Sequence, residues 1–498
     1  MKTYSFKGGV IIKNQFDATK NPVVKVNLPE KVVIPLTNDI EKSIKLLKNI
    51  GDKVKTGEII ANNDGKYCVP IHATISGEIT NIEEKTLVNK YGDKTKCICI
   101  TISSDGKDDW IKNKGCGKDF TKCSKEKVIE HIHKSGIVGL GGAGFPTHIK
   151  IKNLKNCHTV IVNATECEPD ISCDDMLIQN YPNEVIHATK ILLHITNAEK
   201  AYIAIEDDKP KAFTKLKNAN NDDRIEVVKI PTKYTSGSDK ILAKSLLNIE
   251  LPKNKHLSDI GILCQNVATV KAIYDAVINN RPLISRIVTV TGNGVKTPQN
   301  YDVRLGYDLQ TLINLSEEMP GEKDIRIGGL MMGIDINNTK MPITKVTNCI
   351  FVNKKQLKQK ANECIRCGKC NAVCPINLLP QQLYWYAKAA NIDKTIEYNL
   401  LECFECNCCS YVCPSNIDLV DYFIKAKKTY QNQIMEKNKS IIAKQRFEFR
   451  NYRLQRDKEE RAKMLEEKRM LIKAKLSKKD KDKIKTTVLK TKNNNANK

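Results

Sequence analysis

The 498-residue sequence predicts a multidomain α/β chain that ends in a long charged helix. Three observations predict it. Between residues 128 and 282, short apolar runs alternate with amphipathic stretches, the pattern of βαβ units on a mostly parallel sheet. On either side, at 49–83 and from 286 onward, apolar and polar residues alternate between turn-forming Gly and Asp, as in half-buried strands. From about residue 425 the composition turns to Lys, Glu, Arg, Gln and Leu. There, strings such as RDKEERAKMLEEKRM set opposite charges four apart, which supports a solvated helix.

The elements follow in chain order. Residues 1–120 form a first domain of short strands, in which KNIGDKVKTGEIIA and VPIHATISGEITNI resemble the half-barrels of biotinyl and lipoyl carriers. The Met-Lys-like motif that such carriers modify is missing, so a barrel-sandwich scaffold is expected rather than a swinging arm. Residues 121–282 form a Rossmann-like domain, with strands at 158–166, 201–205, 225–230 and 260–263 and helices at 185–197, 239–248 and 267–278. RIVTVTGNGV opens a β-rich module at 283–345 that resembles a ligand-binding β-grasp. Residues 346–428 carry a cysteine repeat. Residues 429–498 are the basic helical tail, with a disordered end at TKNNNANK.

The net charge of +25 looks like a nucleic-acid signature until it is located. Residues 431–498 hold 22 Lys and Arg against 9 Asp and Glu, about half of the excess. Aromatic residues are only 6% of the chain and do not interleave with the basic runs, so no platform for stacking bases is expected, and no nucleic-acid partner. A solvated helix explains the tail; attraction to anionic lipid or to an acidic partner protein is its functional alternative. No apolar run approaches eighteen residues, and the N-terminus lacks a basic region followed by an apolar one, so neither a membrane span nor secretion is expected. Nineteen cysteines in such a chain point to a reducing compartment and to metal ligation rather than disulfides.

The cysteine repeat carries the strongest chemical signal. CIRCGKCNAVCP supplies Cys364, Cys367, Cys370 and Cys374, and CFECNCCSYVCP supplies Cys403, Cys406, Cys409 and Cys413. Two-residue gaps let three thiolates of one loop reach three irons of a cubane, and the fourth Cys, three residues on, turns to the other cluster. The spacing therefore predicts two [4Fe–4S] clusters, one on Cys364, Cys367, Cys370 and Cys413, the other on Cys403, Cys406, Cys409 and Cys374. Structural zinc sites more often pair separated Cys-x-x-Cys units. Cys408 reads as a bystander beside Cys409.

Two further strings are weak alone. GLGGAGFPTHIK (139–150) offers a glycine-rich backbone that a flat ring or phosphate could approach, or simply a turn-rich loop. NATECEPD (163–170) ends the strand at 158–166, where parallel sheets bind ligands. Its Glu166 and Glu168 could meet ribose hydroxyls or a flavin ring, or be solvated loop charges.

Taken together, these strings and QNVATV at 265–270 resemble, in the same order, the FMN- and NADH-binding subunit of respiratory complex I. With the carrier-like domain and the double cysteine motif added, the chain resembles the RnfC component of the Rnf (Rsx-type) ion-translocating electron-transport complex over nearly all of residues 1–428. The resemblance implies non-covalent FMN and NADH as cofactor and electron donor. It implies FMN contacts at Gly139, Gly141, Gly142 and Lys150, and a ring of Phe145 on the nicotinamide. Asn163, Glu166 and Glu168 match the second string, and Asn266 and Thr269 match positions near the flavin phosphate. Thr165 stands where complex I has Asp, and Gly237-Ser238-Asp239 replaces a Gly-Gly-Glu loop.

The implied role is a peripheral subunit on the cytoplasmic face of the inner membrane. It would pass electrons from NADH through FMN to the clusters, while integral-membrane and ferredoxin-like partners couple the flow to ion transport. No catalytic acid, nucleophile or His is required. The alternatives are a soluble flavin and iron–sulfur reductase of the cobalamin-reductase kind, and an electron-relay protein without flavin.

Overall fold

The computed structural model describes residues 4–36, 44–62, 65, 67–89, 92–112, 115–117, 119–253, 255–355 and 359–494. They fall into two units, Met1–Ile424 and Lys425–Lys498.

In the first unit, strands Lys31–Pro35, Lys94–Ser104, Gly77–Val88 and Lys53–Val54 make one antiparallel sheet, in that order. Lys45–Leu46, Ile59–Asn62 and Ile71–His72 make another. Alternation turns Val32 and Ile34 inward, and they meet Ile60, Ile79, Ile100 and Ile102 in one apolar core between the two sheets. Trp110, just beyond, lies between two guanidinium groups, its ring 5.2 Å from Arg281 and 5.1 Å from Arg304.

The parallel sheet has the order Ile225–Ile230, Lys200–Glu206, Thr159–Ala164, Ile262–Asn266. Thr159–Ala164 and Ile262–Asn266 are largely apolar and buried because helices cover them, while the edge strand Ile225–Ile230 alternates. Pro182–Thr196 and Val267–Val277 pack their buried stripes on the core that Val160, Val162 and Leu263 share. The chain builds outward from Thr159–Ala164 in one direction and then returns to its other side with Ile262–Asn266. The strand order therefore reverses between those two strands, and crevices for ligands open at such reversals.

A six-stranded mixed sheet follows, in the order Val24–Lys25, Gln299–Arg304, Ser285–Thr291, Cys349–Lys354, Lys323–Ile327, Ile334–Ile336, with the helix Leu309–Leu315. Two of its strands lie outside the 283–345 range that the sequence suggests. Cys349–Lys354 pairs with both Ser285–Thr291 and Lys323–Ile327, because its apolar CIFV run is buried in the middle of the sheet. Val24–Lys25 comes from the N-terminal segment rather than joining the barrel.

That segment laces the unit together. Gln15 and Phe16 donate backbone N–H to Asp170 Oδ1 at 2.6 and 2.8 Å. Val10 and Tyr234 exchange backbone hydrogen bonds at 2.7 and 3.0 Å, and Gly9 N–H reaches Val373 O at 2.7 Å. Gly8 and Gly9 both have positive φ, and a Cβ on Gly8 would meet the Cys374 carbonyl at 2.6 Å. Only glycine fits so close to another backbone.

The cysteine region is built of short helices, Lys369–Ala372, Pro380–Lys388, Ile392–Glu397 and Cys408–Tyr411. The last helix, Leu419–Asn494, supplies the second unit from Lys425 onward. Its surface carries spaced ion pairs such as Arg456–Glu460 and exposed apolar side chains such as Phe447, Phe449 and Met470. The helix continues to Asn494, through the first four of the eight residues expected to be disordered; 495–498 lie outside the described residues. No helix among the described residues is long and apolar enough to cross a membrane.

Candidate functional site

At the reversal of the parallel sheet, Asn163 and Asn266 sit side by side as the paired last positions of their ladder. Asn266 caps the helix Val267–Val277, its Oδ1 accepting from Ala268 N–H at 3.0 Å and its Nδ2 donating to Asp174 at 2.6 Å. The glycine loop lies over this pair. Leu140 N–H donates to the Thr269 hydroxyl at 2.9 Å, and a Cβ on Gly141 would meet Asn266 Cβ at 3.2 Å. Gly141, Gly142 and Ala143 are exposed. Gly142 has φ +106°, and nothing lies within 4 Å of where its Cβ would be. The loop thus presents bare backbone to open space. Gly139 is tied within the loop, donating to Phe145 O at 2.9 Å, and the half-buried Phe145 ring is 6.0 Å from that of Tyr67.

The two departures from the complex I pattern meet at this crevice. Thr165 donates its hydroxyl to Asn163 Oδ1 at 2.5 Å, and Asn163 Nδ2 donates to Gly237 O at 2.8 Å. Thr165 is thereby a neutral donor that fixes the Asn163 amide. Asp239 opens the helix Asp239–Leu247 with its carboxylate 3.6 Å from Lys150 Nζ. Burial disfavours the Lys150 ammonium, but Asp239 and Cys264 outweigh it and hold the amine above its ordinary range.

Glu166 and Glu168 are not solvated loop charges here. Both turn their oxygens to backbone amides. Glu166 accepts from Asp174 N–H at 2.9 Å and Asp175 N–H at 3.1 Å, filling the open amides at the start of the helix Cys173–Asn180. Glu168 accepts from Met331 and Met332 N–H at 3.0 and 2.8 Å, tying the crevice to the six-stranded sheet.

Burial, reinforced by Asp174, pushes Glu166 from 4.5 up to about 8, against the pull of the two amides. A raised carboxyl holds its proton in the folded state at pH values where the unfolded chain has lost it. Its stabilisation is present below pH 4.5 and disappears as pH rises through about 8. Glu166→Gln is therefore expected to flatten the fall in unfolding temperature between pH 5 and 8; an unchanged slope would assign that fall to other groups.

Three site residues were not legible in the strings. Glu206 closes the neighbouring strand, accepts from Ser236 at 2.9 Å, and is pushed by burial to about 7. Its place at a strand end was the available signal. Asp174 holds the Asn266 amide at 2.6 Å. Tyr234 donates its hydroxyl to Cys406 O at 2.8 Å, joining the crevice side of the unit to the cysteine region.

The cysteine motifs form two matching loops. Arg366 and Gly368 in one, Glu405 and Asn407 in the other, all have positive φ between 57° and 75°, and Asn377 and Asn416 farther on are also left-handed. Such turns point successive N–H groups into one concavity, suited to an anionic group. The structure gathers Cys364, Cys367, Cys370 and Cys413 around one cavity. Cys374, Cys403, Cys406 and Cys409 surround a second, with the buried Cys408 in its wall. Four motif cysteines lining each cavity suit the ligand set of a cubane cluster.

Comparison with known proteins follows the same division. Residues 4–107 match the RnfC barrel sandwich hybrid domain, 132–275 the Nuo51 FMN-binding domain, and 363–417 a 4Fe-4S dicluster domain. The RnfC-type subunit of the Haemophilus influenzae ion-translocating oxidoreductase complex is 41% identical over 466 residues, 92% of this chain and 71% of that protein. The chain belongs to this RnfC family. Its Vibrio cholerae relative is 39% identical over 467 residues, and this chain spans 60% of that protein's length. A crystal structure of an NAD+-reducing [NiFe]-hydrogenase aligns with a TM-score of 0.45 at 14% identity, over 61% of this chain and 60% of that one. As a member of the RnfC family, the chain unites an FMN-binding domain and a dicluster iron–sulfur domain behind a barrel-sandwich domain.

Proposed function

We propose that this chain is a peripheral electron-transfer subunit that accepts electrons from NADH at the glycine-loop crevice and delivers them through its two cysteine cavities to partner subunits. The observation that carries the reading is the joining of the two sites in one unit, with Tyr234 hydrogen-bonded at 2.8 Å to the backbone of Cys406. FMN, when bound, supplies the exchange between two-electron and one-electron chemistry. The chain's own residues bind and orient. The bare backbone of Gly141 and Gly142 admits a flat ring; Asn163 and Asn266 offer fixed amides; Lys150 supplies positive charge; Thr269 holds Leu140 and with it the loop. Phe145 supplies an aromatic face for a nicotinamide.

Cys374, Cys403, Cys406 and Cys409 would hold one cluster and Cys364, Cys367, Cys370 and Cys413 the other, and such clusters would supply one-electron transfer. Partners are integral-membrane and ferredoxin-like proteins at the cytoplasmic face of the inner membrane, which couple the flow to ion movement. The six-stranded sheet with its single helix serves as a β-grasp-like brace between barrel and crevice.

Anaerobic titration of the purified chain with NADH tests this. The flavin and cluster absorption bands are expected to bleach together, with about eight irons per chain. Iron without flavin and without bleaching would replace the proposal with a relay fed from another donor.

A further inference from the structure

A cavity of about 180 Å³ is lined by residues of the barrel, the glycine loop and the segments flanking the six-stranded sheet. Its walls are largely apolar, Leu87, Val138, Leu305 and Ile343 among them, and the single formal charge among its lining residues is Lys345. Nζ of Lys345 donates to Gly136 O at 2.7 Å and has no carboxylate partner among the described residues. Other deeply set amines of this unit are handled differently: Lys323, for one, lies 2.7 Å from Glu318. Lys150 lies 3.6 Å from Asp239, and Lys209 lies 3.1 Å from Asp208.

A part-buried ammonium without a counter-charge is costly, and burial accordingly pushes Lys345 down to about 8. The neighbouring groups do not relieve it. His72 is within 2.9 Å of Lys134 O through Nε2, its Nδ1 has no partner, and burial, then Lys345, drive it to about 3, so it is neutral. Thr74 has given its hydroxyl to Leu305 O at 2.7 Å. Arg286 donates to the backbone carbonyl of Lys345, adding another cation and no acid.

We infer that this cavity is a binding site for a small monocarboxylate with an apolar body, its carboxylate on Lys345 and its carbon chain against the aliphatic wall. A carboxylate supplies the missing counter-charge, and the wall favours carbon over the strongly hydrated oxygens of a phosphate. Ala143 and Gly144 of the glycine loop line the same cavity, and a Cβ on Gly144 would sit 3.2 Å from Val346 Cγ1. An occupant would press on the loop from behind. This inference does not depend on the electron-transfer reading.

Isothermal titration calorimetry on the full chain tests it, with butyrate, its neutral amide butyramide, and inorganic phosphate as probes. Butyrate is expected to bind saturably at pH 7, with butyramide and phosphate at least tenfold weaker. Lys345→Met, checked by circular dichroism, is expected to lower butyrate binding at least tenfold. At pH 8.5, binding to the unmodified chain is expected to take up protons, read from heats in buffers of different ionisation enthalpy, because a bound carboxylate raises the amine. This second measurement stands even if the variant does not fold. Absent saturation by butyrate, equal binding of butyramide, tighter binding of phosphate, or no proton uptake at pH 8.5 would each overturn the site.

Discussion

Replacing Cys374 by alanine is expected to remove the cluster of the other motif and leave its own in place. Cys374 is the fourth cysteine of the first motif, yet it lines the cavity of Cys403, Cys406 and Cys409. Its counterpart Cys413 lines the cavity of Cys364, Cys367 and Cys370. Iron should therefore fall from about eight to about four per chain in Cys374→Ala. Double variants make the outcome decisive. Cys374→Ala with Cys403→Ala strikes one cavity twice and should still leave about four irons. Cys374→Ala with Cys364→Ala strikes both cavities and should leave almost none. If each motif held its own cluster, these two results would be exchanged. Iron and acid-labile sulfide assays on anaerobically purified protein read the answer directly.

The second large effect is expected at Gly142. Its φ of +106° disfavours any side chain, at a strain of about 1–3 kcal/mol. No neighbour lies within 4 Å of the added Cβ, so the folded chain has room for it. Gly142→Val should therefore fold with its iron intact while losing flavin at least tenfold, because the new side chain occupies the space where a ring would approach. Gly237→Ala makes the contrast. A Cβ there would meet Thr165 O at 2.6 Å, a backbone atom, and the loss should appear first in stability. Acid-released flavin fluorescence set against iron content separates the two. Retention of full flavin by Gly142→Val would remove the loop from the binding site.

The parts of the fold that were legible in the sequence are those with local causes. The strand at 225–230 is bounded correctly because its apolar residues recur around Glu226 and Lys229, the alternation of a half-buried edge strand. The strand expected at 260–263 begins instead at Ile262. The turn Leu257–Ile260 precedes it, and Gly261 ends that turn with φ +75°, a boundary that apolar periodicity does not register. The two cavities were legible because the motif fixes ligand spacing within a dozen residues. The carboxylates were not. Whether Glu168 meets a ligand or a protein amide depends on Met331 and Met332, which no local pattern brings near. Lys345 is not legible for the same reason, since an unpaired charge is visible only once its surroundings are known. The lacing by residues 8–25 carries no periodic signal, because single glycines and isolated backbone bonds make it.

That lacing sets a timetable. Gly9 holds Val373, so this early residue finds that partner only when the cysteine region has emerged, whereas Val10 can meet Tyr234 sooner. Loop closure over so long a span comes late. The barrel and parallel-sheet domains can mature during translation, while the cysteine loops remain undocked and open. Iron–sulfur insertion would then have a natural interval, ended when Gly9 settles against Val373.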